Sequence, residues 1–248
     1  MSVDRAIEVL ATRESILVFT GAGISTESGI PDFRGPDGVW TRVDPADFTL
    51  DRYLSSSETR RRSWAMRSES GVLDAEPNDG HFAIFALWET GRMVGCVTQN
   101  IDGLHAAAGL PVEAIVELHG NARTTSCVTC KASLPTSDVA ARVAAGEPDP
   151  CCAECGGILK VDVVFFGENM PATEMTRAMA MAAECDAVIS IGSTLSVYPA
   201  AYVPLTAVEA KAPLVIINQG ETDLDQFASV IIDEPAGTTL STIVAALR

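Results

Sequence analysis

Short apolar runs separated by longer segments of mixed character set the rhythm of this 248-residue chain. Residues 15–20 are apolar up to Gly21, and Met93–Thr98, Ala187–Ile191 and residues 214–218 repeat the pattern. Apolar runs of this length, bounded by glycine or polar residues, read as parallel strands buried on both faces. A shorter run, Ile115 to Leu118, is ended by His119 and Gly120. Residues 81–89, Ala172–Glu184 and residues 200–210 carry apolar side chains at helical spacing, and 239–247 closes the chain as a last helix. The opening residues 1–15 read as an amphipathic helix with Ile7, Val9 and Leu10 turned inward. Strands alternating with helices predict an α/β fold built on a doubly wound parallel sheet.

Two stretches break this rhythm. Residues 34–78 are polar and rich in Ser and Arg, which predicts a loop followed by a helical excursion from the sheet. Residues 123–160 hold paired cysteines and little apolar material, too little for a core of their own. Apolar residues make up 47% of the chain and charged ones 20%, as in a folded soluble enzyme. No apolar run reaches the roughly 18 residues that span a bilayer. The first residues mix acids with apolar side chains and lack a small-residue cleavage site, so the expectation is a cytoplasmic protein without an export signal. A formal net charge of -16 argues against nucleic acid as partner, because phosphate binding needs concentrated Lys and Arg. The same charge suits basic, lysine-bearing partners, or serves only solubility.

Seven cysteines in a cytosolic chain point to metal or redox chemistry ahead of disulfides. Cys127-x-x-Cys130 is followed after 21 residues by Cys152-x-x-Cys155. Four thiolates so spaced fit one closed, structural Zn²⁺, whose binding energy would hold a core-poor segment together. The long gap reads as a loop insertion at 139–150. Cys151 could replace Cys152, although the tighter knuckle and Gly156-Gly157 favour Cys152; Cys96 and Cys185 read as core.

Gly21-Ala22-Gly23 follows the first strand, where glycines let the backbone approach a diphosphate and a following helix offers amide donors. Thr26 stands where the dehydrogenase fingerprint needs glycine. Gln99-Asn100-Ile101-Asp102 follows the second long strand, at the carboxyl end where ligands of parallel sheets bind. Asn100 and Asp102 could equally form an Asx turn, which leaves Gln99 unexplained. His119, at a strand end before glycine, is suited to proton transfer near neutral pH, whereas His81 and His105 read as structural.

The run from Gly21 to Gly35, GAGISTESGIPDFRG, resembles the nucleotide-binding signature of the sirtuins, and TQNIDGLH and ELHG resemble two further sirtuin motifs. The resemblance implies a Rossmann-like NAD-binding domain (1–38, 77–122 and 161–248), a helical insert (39–76) and a zinc-binding module (123–160). It implies Gly21, Ala22, Gly23, Asp32, Phe33 and Arg34 as NAD⁺ contacts, Phe33 covering the nicotinamide pocket. Gln99 and Asn100 would meet the ribose, Ile101 would join them, and Asp102 would bind the nicotinamide amide. Gly192-Ser193-Thr194 resembles the family's GTS with its hydroxyl residues exchanged. Asn218, Gln219 and the turn at Ala236 fall where the family holds the adenosine end. His119 is implied as general base, with Asn100 beside it.

Residues 158–168 resemble the family's LxPDVVFFGE, with Val161 in place of proline. The resemblance implies that an acyl-lysine peptide lies between Val164, Phe165, Gly167 and Glu168 on one side and Val197 and Tyr198 on the other. The edge of this extended segment could accept a further strand. Trp64-x-x-Arg67 resembles the Tyr-x-x-Arg with which desuccinylating sirtuins bind an acyl carboxylate, and other features resemble the mitochondrial and bacterial class II branch. Arg67 is therefore expected beside the acyl channel, or else on a solvated helix face. The implied reaction consumes NAD⁺ and acyl-lysine, and yields nicotinamide, lysine and O-acyl-ADP-ribose in a protein taken as a monomer away from membranes. Transfer of ADP-ribose to protein and a non-catalytic NAD sensor are the competing readings.

Overall fold

The computed structural model describes all residues but 1, 36, 37, 42 and 70, and only the backbone of Trp40 and Glu69. In chain order the elements are α1 (Ser2–Leu10), β1 (Ile16–Thr20), α2 (Leu50–Ser55), α3 (Ser57–Glu69), α4 (Asp79–Glu89), β2 (Met93–Thr98), α5 (Leu104–Ala107) and β3 (Ile115–Glu117). There follow β4 (Gly120–Cys127), β5 (Ser133–Pro135), α6 (Thr136–Ala144), β6 (Leu159–Val163), α7 (Ala172–Glu184), β7 (Ala187–Ile191), α8 (Tyr202–Glu209), β8 (Leu214–Ile217), β9 (Val230–Ile232) and α9 (Ala236–Leu247).

Six strands form a sheet in the order β3-β2-β1-β7-β8-β9, and every pairing in it is parallel. The apolar runs are continuous because both faces are covered. Along β1, Ile16 and Val18 join a core under α1, α4 and α9, while Leu17 and Phe19 join a second core under α7 and α8. Arg92 braces one end of the first layer: its guanidinium donates to the Leu10 carbonyl of α1 and the Leu247 carbonyl of α9, satisfying helix-end acceptors. In α1 the buried side chains are Ala6 and Leu10. Ile7 and Val9 are only partly covered, so the inward stripe is narrower than the pattern implied. The edge strand β9 escaped the sequence reading: it has three residues, and Ile231 in its middle is exposed.

The second sheet is antiparallel, in the order β5-β4-β6. Contrary to expectation, the insertion between the cysteine pairs is a helix, α6, whose first turns bury Thr136 and Val139. Its module does have a small core: Ala122, Cys127, Val139, Cys152, Leu159 and Val161 close around Trp64 from α3. The helical insert therefore donates the largest side chain to the zinc-type module. Trp64 is 1% exposed, a core residue of the module. Its removal would cost about 3–5 kcal/mol.

Candidate active site

Sheet order reverses between β1 and β7, where the chain leaves one half of the sheet and starts the other. Ligands of open α/β sheets bind in the crevice outside the strand ends at such a point. Here the two turns that flank it touch backbone to backbone. Gly23 donates its N–H to Gly192 O at 2.9 Å, and a Cβ at Gly23 would lie 2.6 Å from Gly192 Cα. Gly192 has φ +61°. Residues Ala22–Ser28 form a 3-10 helix in place of the α-helix expected after the glycine turn.

The residues at the end of β2 lean across this crevice. Gln99 Nε2 donates to Ser193 Oγ at 2.8 Å. Asn100, nearly buried, donates from Nδ2 to Gly21 O and Ser25 Oγ, both at 3.1 Å. Ser25 Oγ in turn donates to Asp102 Oδ2 at 2.8 Å, while Asp102 Oδ1 accepts the Leu104 N–H. The Asx turn is thus present, alongside a polar network. Ile101 points away from it, packing against the module core, and its carbonyl accepts the Ala122 N–H. Ser25 was missed in the sequence because a lone serine in a polar run carries no signal of its own.

Further along the crevice, Thr194 Oγ1 pairs with Ser196 Oγ at 2.8 Å. Asn218 is buried at the end of β8, its amide donating to Gln219 O and Gly220 O, while the Gln219 side chain is exposed. Ala236 packs into the main core at the start of α9, and Glu27 Oε1 accepts the neighbouring Gly237 N–H. On the opposite rim, Asp32 Oδ1 accepts the Gly35 N–H at 2.7 Å, and Phe33 and Arg34 are exposed, Phe33 to 38%.

His119 joins this crevice to the segment after β6. Its Nδ1 lies 3.0 Å from the Gln99 carbonyl, and its own carbonyl accepts the Val164 N–H at 2.9 Å. A carbonyl can only accept, so Nδ1 carries the proton and Nε2 is left as a bare base. Burial holds the imidazole below its ordinary pKa of 6.5, partly offset by the Gln99 carbonyl. The ring is therefore neutral at pH 7.

The peptide-side residues divide. Val164 is half-buried and Gly167 exposed, as a groove wall requires. Phe165 is a correction: it is buried edge-to-face on Tyr53, ring centroids 5.1 Å apart, because it fills the junction with α2. Glu168 is committed to holding the turn, accepting the Phe165 N–H at 2.7 Å and Lys160 Nζ at 2.9 Å. The free strand edge is also shorter than expected, since Phe166 already exchanges backbone hydrogen bonds with Phe48 and Leu50. Across the gap Val197 is half-buried, and Tyr198 is 48% exposed against Tyr202. Arg67 is not on a solvated face. Burial lowers its pKa, and the nearby Tyr53 opposes that shift.

In the small module the Sγ atoms of Cys127, Cys130, Cys152 and Cys155 all lie within 4.8 Å of one another. The pairs Cys127–Cys155 and Cys130–Cys152 are 3.5 and 3.6 Å apart. Tetrahedral zinc with sulfur at about 2.3 Å requires sulfur–sulfur edges of about 3.8 Å, so the four fit one ion. Cys151 turns its thiol toward the Asp149 carbonyl and stands outside the cluster.

This combination of a switch-point crevice, a tautomer-set histidine and a four-thiolate module has close parallels among known proteins. Residues 21–199 match the Sir2 family, and the chain belongs to it. It is 43% identical over 234 residues to "NAD-dependent protein deacetylase 2" of Streptomyces coelicolor, covering 94% of this chain and 97% of that protein. It is 42% identical to the "NAD-dependent protein deacetylase" of Caldivirga maquilingensis, covering 97% and 91%. Among solved structures, a Sir2–p53 peptide–NAD⁺ complex superposes with a TM-score of 0.87 at 33% identity, covering 99% of this chain and 98% of that one.

Proposed function

We propose that this protein is an NAD-dependent protein-lysine deacylase, releasing nicotinamide and O-acyl-ADP-ribose, with one structural Zn²⁺ in the cysteine module. Residues 1–38, 77–122 and 161–248 form its NAD-binding domain, 39–76 its helical insert and 123–160 its zinc-binding module. The single observation that carries this reading is the position of His119. Its imidazole is fixed by the Gln99 carbonyl just after β2 and its backbone carbonyl accepts the Val164 N–H of the peptide-side segment, so the residue joins the two with Nε2 left to accept a proton.

NAD⁺ supplies an anomeric ribose carbon from which nicotinamide departs as the acyl-lysine oxygen adds. The chain's own part is binding and proton transfer. Gly21, Ala22 and Gly23, with Gly192, Ser193 and Thr194, offer backbone and hydroxyl groups to the diphosphate and ribose, and Asn218 and Gln219 lie toward the adenosine end. Gln99 and Asn100 meet the ribose, and Asp102, aligned with Asn100 through Ser25, binds the nicotinamide amide. His119 Nε2 takes the proton of a ribose hydroxyl, a role that its depressed pKa keeps available at neutral pH. Phe33 covers the leaving-group pocket and excludes water.

An acyl-lysine peptide panel with NAD⁺, read by mass spectrometry, tests this directly. The expected products are free lysine peptide and O-acyl-ADP-ribose, and His119→Ala loses at least 100-fold in rate with an unchanged fold. ADP-ribose attached to protein with no deacylated peptide, or a fully active His119→Ala, overturns the reading. Arg67 favours a carboxyl-bearing acyl chain: Arg67→Ala is expected to lower the glutaryl-to-acetyl rate ratio, and an unchanged ratio removes that role.

We further assign the protein to the cytoplasm as a monomer acting on acylated proteins, without nucleic acid or membrane partners. Its four clustered thiols, with Cys96, Cys151 and Cys185 besides, suit a reducing compartment. Among the described residues no helix is long and apolar enough to cross a membrane.

A further inference from the structure

Two buried imidazoles, His81 and His105, take no part in the chemistry above, yet their hydrogen bonds assign each a tautomer. His81 Nδ1 accepts the Asn78 N–H at 3.3 Å, so the neutral ring carries its proton on Nε2. That Nε2 is buried and has no partner. His105 Nε2 lies 2.9 Å from Thr20 Oγ1, and Thr20 donates its one proton to Thr98 Oγ1 at 2.8 Å. Between His105 and Thr20 the imidazole must therefore donate, which leaves His105 Nδ1 a bare acceptor. That atom too is buried and without a partner. The two rings are neighbours, with centroids 5.0 Å apart and planes inclined at 52°.

An orphan donor thus lies beside an orphan acceptor, in a place where leaving either unmatched is costly. We propose that His81 Nε2–H and His105 Nδ1 form a hydrogen-bonded pair, directly or through one water, and that the pair is a positioning device for Asn100 and Asp102. This rests on the reading of the crevice as an NAD site.

The pair closes a circuit around that crevice. At one end Asn78, which fixes His81, donates from Nδ2 to Ile24 O and Ser28 Oγ on the glycine turn. At the other end Thr98 Oγ1, reached through Thr20, accepts the Asn100 N–H at 3.0 Å. Asn100 returns to the glycine turn at Gly21 and Ser25, and Ser25 holds Asp102. Main chain and side chain of Asn100 are thereby set by one continuous network. Both rings stay neutral within it: burial pushes His81 down to about 4, against the pull of Asp102, and His105 down to about 3, helped by His81.

The first test is ¹⁵N NMR of the whole protein without NAD⁺, which separates imidazole tautomers. The expected pattern for the three histidines is Nδ1–H for His119 and Nε2–H for His81 and His105. Replacing His81→Phe is expected to move the His105 Nδ1 resonance. A His105 proton found on Nδ1, or a resonance that His81→Phe leaves in place, overturns the pair. The second test is calorimetric binding of NAD⁺ and of acyl-lysine peptide. His105→Phe is expected to weaken NAD⁺ about tenfold, the size of one hydrogen bond, with peptide affinity unchanged. His105→Gln, whose amide nitrogen can stand in for Nε2, is expected to recover most of it, and this comparison with wild type survives if the phenylalanine variant fails to fold. Equal losses in the two variants, or an equal loss for peptide, overturn the positioning role. A wild type that binds no NAD⁺ removes the reading of the crevice and the positioning role with it, whereas the tautomer spectrum still decides the pair.

Discussion

Replacing Gly192→Ala probes the contact on which the whole crevice is built. At φ +61° an L side chain occupies the left-handed region, at a cost of about 1–2 kcal/mol. The added Cβ would also lie 2.5 Å from the Gly23 carbonyl carbon and 2.7 Å from Gly23 Cα, and would press on the Ile24 nitrogen. Those atoms are backbone, so no side-chain rotation relieves the overlap. Separating the two turns should cost about 1–3 kcal/mol more, as overpacking in a dense interior does. The expected total is about 2–5 kcal/mol. Gly220 is the matched control, because it has φ +88° but nothing within 4 Å of its would-be Cβ. Gly220→Ala should therefore show the conformational cost alone. Urea unfolding of both variants, followed by far-UV circular dichroism, measures the difference. If Gly192→Ala is no less stable than Gly220→Ala, the turns are not in the backbone contact on which the site description depends.

Acid should weaken the fold through the histidine pair. His81 and His105 titrate near 4 and 3 when folded against 6.5 when unfolded, so the unfolded chain binds more protons as pH falls below 6.5. By pH 4 His81 alone should remove about 3 kcal/mol, and a flat stability between pH 7 and 4 in denaturant titrations would contradict it. Chelating zinc should release the amides of β4, β5 and β6 to hydrogen exchange while β1, β2, β7 and β8 stay protected, because the module's core is small and includes two of the ligands. Cys152→Ser should reproduce that pattern and Cys151→Ser should not.

Much of this arrangement is legible from the residues alone. The continuous apolar runs around Leu17, Val97 and Ile189 could only belong to strands covered on both faces, and the spacing of four cysteines specifies its chemistry locally. The glycine turn and Gln99 to Asp102 are likewise contiguous, so their resemblance to sirtuin motifs needs no folded context.

What lay beyond reach concerns direction and partnership. An apolar residue reads the same whether it lines a groove or fills a junction, so Phe165 and Trp64 could be placed only once Tyr53 and the module core were seen around them. Helix α6 did carry a signal, Val139 and Val143 four apart, overshadowed by the need for a linker between cysteine pairs. The proton on His119 is decided by the Gln99 carbonyl, 20 residues away in sequence, and those on His81 and His105 by Asn78 and Thr20. Side-chain chemistry is written into the chain, but its protonation, exposure and aim are set by whichever backbone and side-chain groups folding brings alongside.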